Sequence, residues 1–180
     1  MRFGDPPPPA TRQSWQHTPF PEQCVPLSLQ RTWTEPEYER MRYGVTPEAM
    51  EDKWFTFLED ATLYFHRSWT GMAVYKLTFV REGETYSVSS AFAGRDPSQP
   101  SEASDSYDVQ LLLSLIDNLL LGQARSLPLP AGLPAGIATE MHHSSVIGAG
   151  RSKHKLPKIS IWVWLWHWLK WLLRGLWQFS

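Results

Sequence analysis

Lys53-Trp54-Phe55-Thr56-Phe57-Leu58-Glu59-Asp60-Ala61-Thr62-Leu63-Tyr64-Phe65-His66-Arg67-Ser68-Trp69-Thr70-Gly71 is the stretch on which the fold turns. Its first part, residues 53–58, is rich in aromatic side chains, as suits a buried strand. Glu59, Asp60 and Ala61 form a turn, and residues 62–69 read as a second strand. Alternation puts Leu63, Phe65, Arg67 and Trp69 on one face of that strand and Tyr64, His66 and Ser68 on the other.

Working outward, Gly71 breaks the run, residues 72–80 make a third strand, residues 81–84 a hairpin turn and residues 85–92 a fourth strand. A polar loop with two prolines follows. Residues 105–121 then have helical spacing, opened by Asp or Ser caps and closed by Gly122. Leu112, Leu115, Ile116, Leu119 and Leu120 should lie across the sheet, leaving Gln110, Ser114, Asp117 and Asn118 outward. The expected class is α+β: an antiparallel four-strand meander packed against one apolar helix, with a C-terminal Trp-rich amphipathic helix.

On the N-terminal side, Thr34 and Glu37 have capping-box spacing for a short helix ending near Arg42. Before them, Pro6 to Pro9, Pro19, Pro21 and Pro26 read as a Pro-rich mobile arm over residues 1–32. The core is expected over 33–125. Residues 126–158 form a Pro/Gly connector with a last strand near 137–147 and a basic patch, and residues 159–180 form the tail.

Net charge is −1, with 17 basic and 18 acidic residues well mixed, so the cationic face of a nucleic-acid binder is missing. Cys24 is the one cysteine, which excludes an internal disulfide and a thiolate-rich zinc site. With no apolar signal-type stretch near the first residue, the expectation is a cytoplasmic protein.

The segment Lys53-Trp54-Phe55 through Leu63-Tyr64-Phe65-His66-Arg67-Ser68-Trp69-Thr70-Gly71, with the 107–121 helix and His142-His143 before Gly148, resembles a group of short uncharacterised bacterial proteins. The resemblance covers about two thirds of the chain and implies a compact α+β fold; it implies no activity. The proline arm and the tryptophan tail depart from it.

Two polar clusters are candidates for chemistry. His66-Arg67-Ser68-Trp69-Thr70 places an imidazole and a hydroxyl on one side of a strand and a guanidinium and an indole on the other. His142-His143-Ser144-Ser145 repeats the His-x-Ser spacing. Paired His-x-Ser strands resemble the two-histidine phosphoesterases, which implies His66 and His142 as acid and base, with Ser68 and Ser144 holding phosphate oxygens, and no metal. Arg67 and His143 depart from that pattern, because the middle residue normally faces a core.

A second reading is an anionic or phosphorylated small ligand, bound and not transformed, held by Arg67 and Trp69 with His143 and Arg151. A third is a purely structural interaction module, with His66 bonded to a carbonyl and Arg67 paired with Glu59, Asp60 or another acid. The weight falls on binding, of such a ligand or of a protein partner near His66 to Thr70 and His142 to Ser145, rather than on catalysis. Adjacent histidines on a strand point to opposite faces, so His142 and His143 do not make a metal site, and no cofactor is expected.

The tail carries Trp162, Trp164, Trp166, Trp168, Trp171 and Trp177, six of the ten tryptophans. On a helical wheel Ser160, His167, Lys170, Arg174 and Gln178 fall within an arc of roughly 80°. Lys170 and Arg174 would lie in the lipid core of a single crossing, so an in-plane interfacial helix fits better, peripheral at the inner membrane surface. Packing in a protein groove suits the same stripe, and an altered reading frame is the other origin for such a composition.

Overall fold

Asp60 and Ala61 both have positive φ, 48° and 59°, the geometry of a two-residue hairpin turn whose twist matches that of the flanking strands. In this computed structural model, which describes residues 8–49, 51–95 and 105–128, that turn joins β3 (Trp54–Glu59) to β4 (Thr62–Arg67). It thereby sets Trp54 opposite Arg67 and Phe55 opposite His66. The meander continues through β5 (Ala73–Glu82) and β6 (Thr85–Gly94), whose connecting turn uses Gly83 at φ 64°. Bulges between Phe65 and His66 and between Thr78 and Phe79 bend the ladder.

The sheet has six strands rather than the expected four. β1 (Cys24–Pro26) and β2 (Thr32–Thr34) both pair antiparallel with the outer side of β6, giving the order β1-β6-β5-β4-β3 with β2 also on β6. The class is α+β with an antiparallel sheet. No helix among the described residues is long and apolar enough to cross a membrane.

One face of the sheet is covered by helices. Thr34 and Glu37 form the capping box of α1 (Glu35–Tyr43), and α2 (Asp105–Leu115) runs on into a π-helical segment, Ile116–Leu121, ended by Gly122 at φ 66°. Trp33, Met41, Trp54, Leu63, Leu112 and Ile116 are almost wholly buried between these layers. Burial of each such side chain contributes about 1.5–3 kcal/mol.

Two of the side chains expected to face outward do not. Ser114 and Asp117 are buried. The wider π turn reorients Asp117, whose carboxylate accepts from Arg31 (2.9 Å) and Arg125 (3.0 Å). The chain after Gly122 folds back, so that Ser114 bonds the Ser126 carbonyl (2.9 Å) and Asn118 donates to the Arg125 carbonyl (2.8 Å). Burial opposes the ionised form of Asp117, but the two arginine hydrogen bonds outweigh it and hold the carboxyl below its usual pKa.

The mobile arm is corrected over residues 8–32, which form an ordered strap. Ala10 N–H donates to the Tyr43 carbonyl, Arg12 pairs with Glu59, Trp15 Nε1 donates to the Ser68 carbonyl, and Thr18 N–H donates to the Gly71 carbonyl. The strap covers the second face, where Ala10, Phe55 and Phe57 form a small core with Tyr64 against it. Proline is compatible with all of this: Pro26 sits on an edge strand, where a missing N–H costs nothing. The expected last strand near 137–147, the basic patch and the tryptophan tail lie outside the described residues.

Candidate functional site

Arg67 closes β4 on the helix-covered face, directly across from Trp54. Its guanidinium carbon lies 4.2 Å from the Trp54 ring centroid, a cation–π contact on an indole that is itself 1% exposed. Trp54 stacks on Tyr75 at 6.3 Å, and the Tyr75 hydroxyl donates to Asp108 at 2.8 Å. Arg95 donates to the other oxygen of Asp108 at 2.6 Å. Thus the end of β4, the starts of β3, β5 and α2, and the residue after β6 bring two arginines, two large aromatics and one carboxylate to one end of the sheet.

The two arginines differ in how they are satisfied. Arg12, Arg31, Arg42, Arg81, Arg95 and Arg125 each pair with a carboxylate, and Arg40 donates to the Leu121 carbonyl. Among the described residues Arg67 alone has neither kind of partner. Burial pulls its pKa down from the usual arginine value, with the phenols of Tyr75 and Tyr107 acting weakly the other way. A half-buried guanidinium has given up part of its hydration, and only the Trp54 face compensates. Its planar fork of donors suits a carboxylate or phosphate group.

His66, one residue earlier, faces the strap. It is 2% exposed, its ring stacks on Phe57 at 5.5 Å, and His17 meets it edge-on at 5.6 Å. Nε2 lies 3.3 Å from the Thr18 carbonyl and so carries the proton, which leaves Nδ1 as a buried lone pair with no partner. Burial pulls the pKa down to about 4; the Thr18 carbonyl works against this, and His17 and Arg12 add to it. The ring is neutral at pH 7.

Ser68 is also buried and donates its hydroxyl to the Asp52 carbonyl. His66 and Ser68 therefore do not present an acid–base group and a hydroxyl to a substrate, as the phosphoesterase pattern expects; the strap closes over the imidazole, and the hydroxyl is engaged. The expected pairing of Arg67 with Glu59, Asp60 or another acid is not found among the described residues; Glu59 holds Arg12. The companion residues His142, His143, Ser144 and Arg151 lie outside the described residues, as do Trp162, Trp164, Trp166, Trp168, Lys170, Trp171, Arg174 and Trp177.

Trp69 does not join Arg67 in one pocket. It stands in the β4–β5 turn, 60% exposed, with the Lys53 ammonium 4.2 Å from its ring. Trp54, Tyr75, Arg95 and Asp108 were not among the residues singled out from sequence. The Trp54–Arg67 pairing had a signal: a two-residue turn at Asp60-Ala61 sets Trp54 opposite Arg67 by counting alone. The Asp108 contacts had none, because they join a helix start to residues far along the chain.

Among the described residues no three metal-ligating side chains cluster. No family model matches the chain, and neither the curated proteins nor the solved structures give a significant match.

Proposed function

We propose that this domain is a non-catalytic binding module that holds an anionic group, a carboxylate or a phosphate, on Arg67. The observation that carries the reading is the guanidinium itself: half-buried on Trp54, at the sheet end, with no carboxylate partner among the described residues. An incoming anion would restore the charge-assisted hydrogen bonds that folding withholds, in a place where water competes poorly. Tyr75 and Tyr107 lie near enough for their phenols to act on Arg67; Tyr75 is buried beneath Trp54, whereas the half-buried Tyr107 leaves aromatic surface that suits a ligand with an apolar body. The tail belongs to the same reading as a membrane-surface anchor, on its sequence pattern. The two-histidine phosphoesterase alternative draws no support from His66, which is closed off.

The test is thermal denaturation of the full chain with inorganic phosphate, pyrophosphate and citrate as probes, because a ligand that binds only the native state stabilises it by mass action. At a hundred times its Kd this amounts to about 2.7 kcal/mol, or several degrees in Tm. The expected result is a rise with at least one probe that disappears in Arg67→Met and is reduced in Arg67→Lys, which keeps the charge and loses the fork. Equal rises in wild type and Arg67→Met would overturn the reading.

A further inference from the structure

The strap is held differently from the rest of the fold. From Thr11 to Pro26 no residue is buried, whereas Ala10 before this stretch and Leu27 after it are. Over residues 10–18 the ties are polar: Ala10 N–H to the Tyr43 carbonyl, the Arg12–Glu59 pair, Trp15 Nε1 and Gln16 Nε2 to the Ser68 carbonyl, and the Thr18 N–H and hydroxyl to the Gly71 carbonyl. A segment with so little apolar burial belongs to the part of a fold that opens locally at low cost.

What it closes over is an imidazole with nowhere to put a second proton. His66 lies against His17 and Thr18, with Nδ1 buried and unpartnered. On the strap, Arg12 and His17 both oppose a charge on the ring, and the Thr18 carbonyl is already used by Nε2. β3 contributes Phe55 and Phe57, and its Glu59 is engaged by Arg12; β4 contributes Tyr64. β5 places Ala73 opposite His66, and Lys76, further along, holds its ammonium over the Phe20 and Phe92 rings. Among the described residues no acid acts on the imidazole. The aromatic faces that would take up a positive charge, those of Phe57 and Tyr64, already lie under the Arg12 guanidinium at 5.7 and 5.8 Å.

We infer that residues 10–18 form an acid-released latch: protonation of His66 lifts this part of the strap from the aromatic face while the helix-covered core stays folded. With the latch open, water solvates both ring nitrogens and Arg12 and His17 move away, so the charged ring prefers the open form. The covered ring refuses the proton down to about pH 4, whereas a solvated one takes it near 6.5. Between those values each unit of acidification favours the open form by about tenfold. The inference is independent of the Arg67 reading, and it differs from acid unfolding in what survives, since α1, α2 and β5 keep their packing.

The experiment is hydrogen–deuterium exchange of the full chain at about pH 7 and about pH 4.5, corrected for the intrinsic exchange rate and read in peptides covering residues 10–18 and 74–80. In wild type the protection of 10–18 should fall roughly thirtyfold at the lower pH, with that of 74–80 unchanged. His66→Phe keeps a ring in place and takes no proton, so its strap protection should change by less than about threefold. Equal strap protection at both pH values in wild type, the same fall in His66→Phe, or a joint loss of both segments would each overturn the inference. If His66→Phe does not fold, the ring resonances of His66 in wild type decide: strap opening and ring protonation should share one midpoint, and a strap that opens while the ring stays neutral refutes the latch.

Discussion

His66 and Arg67 are neighbours in sequence, yet they sit on opposite faces of the sheet. The strap face holds an imidazole that has lost its water and responds by staying neutral, with its pKa near 4. The helix face holds a guanidinium that cannot respond in that way, because arginine remains charged in proteins, so among the described residues it has an indole and no counter-charge. The same physical demand, desolvation of a basic group, is met by titration on one side and left partly unmet on the other. An unmet demand on a charged group is where a ligand can act.

The largest expected effect separates Arg67 from the other arginine at that sheet end. Arg95→Met removes the ion pair of a carboxylate that is 4% exposed and leaves Asp108 with the Tyr75 hydroxyl alone. The loss should be about 3 kcal/mol by urea denaturation, since breaking a buried pair strands the remaining charge. A loss below about 1 kcal/mol would mean that the pair is effectively solvated and worth no more than a surface one.

The strap face is tested by pH. A histidine whose folded pKa is depressed adds no pH-dependent term above its unfolded value of 6.5, where both states are neutral. As pH falls from 6.5 to about 4 the unfolded chain takes up a proton that the folded chain refuses, so stability declines through that window and levels off below it. The decline should be about 3 kcal/mol at most, nearer about 2 once solvent screening is allowed for. His66→Phe keeps an aromatic ring against Phe55 and Phe57 and should remove this slope. An unchanged slope in the variant would assign the acid sensitivity to other groups.

Arg67→Met reads the helix face directly and should do little. The methionine keeps apolar contact with Trp54 and relieves the desolvated charge, so stability should stay within about 1 kcal/mol of wild type, on the stabilising side if it moves. A loss of about 2 kcal/mol or more would show that the cation–π contact is a structural support, and the ligand reading would lose its footing.

Much of this contrast was legible in sequence, and the illegible part has identifiable causes. Alternation placed His66 and Arg67 on opposite faces, and the four meander strands, α1, and α2 taken with its π-helical continuation fall within two residues of their expected limits. What alternation does not reveal is what covers each face. The strap was hidden because its prolines read as a barrier to order, whereas the hydrogen bonds of Ala10, Trp15 and Thr18 need no regular ladder and Pro26 ends a three-residue edge strand. Asp117 was misplaced because a π turn breaks the period of 3.6 on which outward and inward positions are counted. Arg67 has no carboxylate partner among the described residues, although Glu59 and Asp60 lie close in sequence, because Glu59 holds Arg12.

The smallest effect concerns the turn that keeps the two faces apart. Asp60 and Ala61 set the register in which His66 meets Phe55 and Arg67 meets Trp54; a one-residue slip would exchange the two basic residues between faces. Ala61 holds φ at 59°, where its Cβ crowds the following carbonyl and where glycine is at ease. Ala61→Gly relieves that strain and loosens the unfolded chain, two opposing terms whose balance should favour the folded state by about 0.5 kcal/mol. The gain should appear as a small rise in Tm, with the His66-dependent pH slope unchanged. A fall in Tm together with a flattened slope would mean that the turn does not fix the register and that the strap and helices select it by packing.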